Sequence, residues 1–118
     1  MTETKQRDVQ VLPIAVDTLA LRSRSWNRLR FEIEYALEKG TTANSYLIKA
    51  DRTALIDPPG GSFTAIFLEE LRSHIPLDQL DYIILGHVNP NRLETLQHLI
   101  SEAPQAIIVC SNPGAIAI

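Results

Sequence analysis

The sequence predicts an α+β fold, a mixed β-sheet with helices on its faces, and three observations carry that prediction. Strand-like segments fill the first half of the chain. A helix-strand-helix-strand order follows in the second half, which lays amphipathic helices on a sheet. The chain has 118 residues and 45% hydrophobic content, enough for one domain that buries about two-thirds of its unfolded surface.

Taken in order, Met1 to Asp8 reads as a disordered leader and residues 9–118 as the domain. Val9 to Leu21 is β-rich and holds one or two strands. Arg22-Ser23-Arg24-Ser25-Trp26-Asn27-Arg28 reads as a polar loop with one aromatic anchor. Phe31 to Leu37 alternates apolar and polar residues, the period of a half-buried strand. Gly40 marks a turn. Asn44 to Ala50 and Thr53 to Asp57 form a strand pair joined at Asp51-Arg52. Pro58-Pro59-Gly60-Gly61 breaks the pattern, and Ser62 then caps a helix whose apolar residues are Phe63, Ile66, Phe67, Leu71 and Ile75. Leu80 to Leu85 is a short apolar run of the buried-strand type. Leu93, Leu96 and Ile100 stripe a second helix, and Ala106 to Cys110 gives another buried strand. The apolar ending Asn112 to Ile118 is expected to belong to an incomplete domain.

Composition narrows the function classes. Eleven Lys and Arg stand against 14 Asp and Glu, for a net charge of −3, which argues against a nucleic-acid binder working through a basic face. No apolar run reaches the ~18 residues of a membrane span. The single Cys110 cannot form an internal disulfide and fits a reducing compartment, and the polar start is unlike a secretory signal. A cytoplasmic protein is expected.

The most informative segment is Tyr82-Ile83-Ile84-Leu85-Gly86-His87-Val88-Asn89-Pro90-Asn91-Arg92. An apolar strand delivers a histidine, and a polar turn leads into a helix. This frame resembles the metal-binding loop H-x-[HE]-x-D-H of the metallo-β-lactamase superfamily. Thr41-Thr42-Ala43-Asn44-Ser45-Tyr46-Leu47-Ile48 resembles the T-T-x-N-S-Y-L-I strand of flavodiiron proteins, called diflavin flavoproteins in cyanobacteria. Thr53-Ala54-Leu55-Ile56-Asp57 resembles their T-A-L-I-D segment, with Pro58 where Thr usually follows. The likeness runs from about Val9 to Ile118.

The resemblance implies an αββα metallo-β-lactamase-like sandwich, of which this chain holds the N-terminal half. It also implies a non-haem diiron site there, with an FMN-binding flavodoxin-like domain and, in cyanobacteria, a flavin-reductase domain following. Together these pass electrons from NAD(P)H through flavin to iron and reduce oxygen to water. FMN, FAD and the iron pair are thus expected of the full-length family, and no cofactor is expected in this chain.

Carried across residue by residue, His87 matches the first imidazole, whereas Asn89 replaces Glu, Asn91 replaces Asp and Arg92 replaces the second His. An iron pair needs carboxylates to offset its charge. An amide offers only a neutral carbonyl, and a guanidinium has no lone pair to give. At ~4 Å and an effective dielectric of ~20, a cation beside a divalent ion costs on the order of 8 kcal/mol. The loop is therefore not expected to hold iron in the family's usual way, with His87 as the one retained ligand type. Cyanobacterial members with such replacements form a subgroup.

Each residue also has a plainer reading. His87 serves as a hydrogen-bonded histidine kept by packing. The second helix is capped either by Asn91, with Glu94 completing a capping box, or by Asn89 with Pro90 at the first helical position. Arg92 pairs with an anion or is solvated. Asp57 forms a turn or shapes the neighbouring pocket. His74 and His98 are read as surface residues and Cys110 as core filler. Gly60-Gly61 lacks the rest of a nucleotide fingerprint, and no catalytic residue is assigned.

Three functions compete: a fragment of a flavodiiron-type oxidoreductase, a pseudo-enzyme partner that forms a homo- or hetero-dimer with an intact relative, and a metal-dependent hydrolase. The missing ligands leave the hydrolase weakest, because it needs water activated on metal.

Overall fold

The computed structural model describes residues 7–25, 41–86 and 90–111. Six strands form one sheet in sequence order: β1 (Arg7–Ala15), β2 (Thr18–Ser25), β3 (Thr41–Lys49), β4 (Thr53–Ile56), β5 (Tyr82–Ile84) and β6 (Ile107–Val109). The first three pairings are antiparallel, and β4–β5 and β5–β6 are parallel. Parallel neighbours need crossovers, which α1 (Thr64–Arg72) and α2 (Pro90–Glu102) supply.

The β1–β2 hairpin turns at Val16-Asp17, where Asp17 takes φ 60, a left-handed conformation that Asp tolerates. β1 starts at Arg7, so Arg7 and Asp8 are strand residues rather than part of the expected leader. Asp8 is held by Arg24 across the ladder, with Nε at 2.8 Å and Nη2 at 2.6 Å from its two oxygens. Met1 to Gln6 lie outside the described residues.

Arg22 to Ser25 belong to β2 and not to a loop. The strand carries small or charged residues where apolar ones were sought: Ser23 turns inward and is 0% exposed, while Arg22 is exposed on the other side. The remaining residues of that expected loop, the strand expected at Phe31 to Leu37 and the turn at Gly40 lie outside the described residues.

β3 and β4 pair as expected, with β3 starting at Thr41. Ser62 does not cap α1. Gly61–Phe63 forms a 3-10 turn, the cap residue is Phe63 without a side-chain bond, and the Thr64 hydroxyl bonds the Gly61 carbonyl at 3.0 Å.

One face of the sheet carries the core. Leu19, Leu47, Leu55, Ile83 and Ile108 stand opposite one another across five strands. Phe63, Phe67, Leu68, Leu71, Leu96 and Leu99 cover that face from the helices. In α2 the stripe is Leu96 and Leu99, continued by Ala103 just past its end, with Leu93 only partly buried. Ile100 is 37% exposed, contrary to the expected stripe, because Leu99 takes the inward position. Bidentate Arg72–Glu102 contacts join the ends of the two helices.

The opposite face holds a second row, Leu12, Ala20, Tyr46, Ile56, Ile84 and Val109, in register across all six strands. On this face Ile107 is 56% and Val109 44% exposed, so β6 is not the buried strand expected. Only Ile108, between them, packs against the core.

Candidate functional site

The carboxyl ends of β4 and β5 lie side by side, the position where parallel sheets place ligand sites. Asp57 follows β4 with φ 56. Its N–H donates to the Ile84 carbonyl at 2.9 Å, and its carbonyl accepts the Ser45 hydroxyl at 2.7 Å. Its carboxylate turns to the end of β5, where the Gly86 N–H donates to Oδ1 at 2.6 Å. A Cβ at Gly86 would lie 3.1 Å from both carboxyl oxygens, so a larger residue there would crowd the bond. His87 is the next residue along the chain.

From Asp57 the backbone enters Pro58-Pro59-Gly60, all buried. The Gly60 carbonyl accepts the Phe63 N–H at 3.0 Å and the Thr95 hydroxyl at 3.2 Å. Thr95 is 0% exposed on α2, and its oxygen lies 2.8 Å from the hydroxyl of Thr64 on α1. The turn after β4 therefore touches the end of β5 through Asp57 and the second turn of α2 through Gly60.

His87 and Asn89 lie outside the described residues. Asn91 and Arg92 are backbone positions in the first turn of α2. The helix begins at Pro90, which fits the arrangement with proline at the first helical position. Glu94 lies across the turn after β4: a Cβ at Gly61 would meet its Oε1 at 2.7 Å. His98 is exposed, beside Glu94, Glu102 and Arg72 on an open groove of about 440 Å³ between the helices. His74 is partly exposed near Glu70 at 3.7 Å, and Cys110 is half-buried rather than core filler.

Among the described residues no three His, Cys, Asp or Glu side chains cluster so as to hold a metal ion. Asp57 was legible as a turn residue, but its bond to Gly86 was not. Thr64 and Thr95 gave no signal, since hydroxyls on helices read as ordinary polar positions.

A mixed sheet with both helices on one face, and a strand-end turn leading to a histidine, define the N-terminal half of a metallo-β-lactamase-like fold. The chain belongs to the family described as ODP family beta lactamase, whose model matches residues 41–116. It is 64% identical over 116 residues to diflavin flavoprotein A 6 of Nostoc sp. (strain PCC 7120), covering 98% of this chain and 20% of that protein. The crystal structure of diflavin flavoprotein A 5 (fragment 1–254) from Nostoc sp. PCC 7120 superposes with a TM-score of 0.88 at 60% identity, over 96% of this chain and 46% of that one. The metal-soaked Flv1 flavodiiron core from Synechocystis sp. PCC6803 gives 0.88 at 62% identity, over 95% of this chain and 28% of that one.

The chain spans about 20% of the length of the curated relatives it matches, and corresponds to a piece of the flavodiiron core. Among the described residues no helix is long and apolar enough to cross a membrane.

Proposed function

We propose that the chain is the first part of a diflavin flavodiiron-type oxidoreductase that passes electrons from NAD(P)H through flavin to oxygen, and that this part holds no conventional diiron site. Residues 9–118 form its partial metallo-β-lactamase-like domain, acting in the cytoplasm. The observation that carries the reading is the 64% identity to a diflavin flavoprotein over nearly the whole chain.

The donor set supports the second half of the proposal. One imidazole, two neutral amides and a guanidinium replace the imidazole-and-carboxylate set of the loop. They supply neither the negative charge nor the lone pairs that two ferrous or ferric ions require. No chemical step is therefore assigned to iron in this loop. FMN, FAD and any metal chemistry belong to the longer protein, where flavins would accept hydride from the pyridine nucleotide and release electrons singly.

A second reading is favoured by the same replacements: a non-catalytic domain that dimerises with an intact flavodiiron relative. Two measurements separate the readings. The gene downstream of Ile118 is expected to encode flavodoxin-like and flavin-reductase sequence, and its full product to consume oxygen with NAD(P)H. A full product that binds flavin and an intact relative, yet consumes no oxygen alone, would instead support the partner reading. The 118-residue chain alone is expected to show no flavin absorbance band, and a stoichiometric band would overturn that assignment.

A further inference from the structure

We draw no further inference here: the strongest candidate, the apolar row Leu12, Ala20, Tyr46, Ile56, Ile84 and Val109 on the sheet face opposite the helices, carries nothing, because among the described residues nothing shows what covers it.

Discussion

Replacing Asp57 separates the roles that one residue combines. Its φ of 56 lies in the left-handed region, and its carboxylate holds the Gly86 N–H at 2.6 Å. A hydrogen bond to a charged group contributes about 1.5–3 kcal/mol. The Asp57 side chain is only partly buried, so the lower end, about 1.5 kcal/mol, applies. Left-handed backbone adds about 1 kcal/mol for alanine, which lacks the local side-chain bonding that lets Asp tolerate it. Asp57→Ala is therefore expected to cost about 2.5 kcal/mol. Glycine adopts the same φ without strain, so Asp57→Gly loses the bond and gains unfolded-state entropy, for about 2 kcal/mol. Asp57→Asn keeps both an acceptor and the turn preference and should cost less than about 1 kcal/mol. Urea denaturation followed by circular dichroism measures the series. A Gly variant as stable as the wild type would refute the carboxylate bond, and Asn as damaging as Ala would refute the division of roles.

Three further outcomes follow from the same geometry. Ile83 is 0% exposed between the sheet and the helices, so Ile83→Ala should cost about 2–5 kcal/mol. Ile107, 56% exposed on the other face of the neighbouring strand, should cost less than about 1 kcal/mol when cut to alanine, and equal losses in urea melts would contradict the assignment of faces. The Arg72 guanidinium holds the Glu102 carboxyl below its ordinary value, chiefly through their hydrogen bond. A carboxyl depressed in the folded state adds stability above its unfolded value near 4.5, and that stability fades as pH falls through the lower folded value. Glu102→Gln should thus flatten the pH dependence of stability below about 4.5, and an unchanged acid limb would contradict the bond. Arg72 and Glu102 are both substantially exposed, so the loss at neutral pH stays small.

The strands most legible in the sequence were the apolar ones at the centre of the sheet. Leu47, Leu55 and Ile83 announced the central sheet because one face of each strand is apolar. The second half of β2 escaped notice because Arg22-Ser23-Arg24-Ser25 has no apolar residue to mark its inward side. Small buried serine and the cross-strand Asp8–Arg24 pair do that work instead. In α2 the apolar residues Leu99 and Ile100 are adjacent, and periodicity alone could not say which faces inward.

The site divided differently. Gly86 and Asp57 stand 29 residues apart, and their contact depends on two parallel strands ending level, which no local pattern encodes. Thr95 reaches a backbone carbonyl 35 residues away, and a carbonyl has no residue signature at all. The side-chain types of Asn89, Asn91 and Arg92, by contrast, stand in the sequence itself, and the proposed loss of a conventional iron pair rests on their chemistry.

Iron measurement on the polypeptide extended through the rest of the metallo-β-lactamase-like domain tests the central claim most directly. After anaerobic loading with ferrous salt and desalting, the natural loop is expected to retain iron far below a filled pair. Asn89→Glu, Asn91→Asp and Arg92→His introduced together should raise it several-fold. A natural loop that retains a full iron pair, matched by the substituted one, would contradict the account.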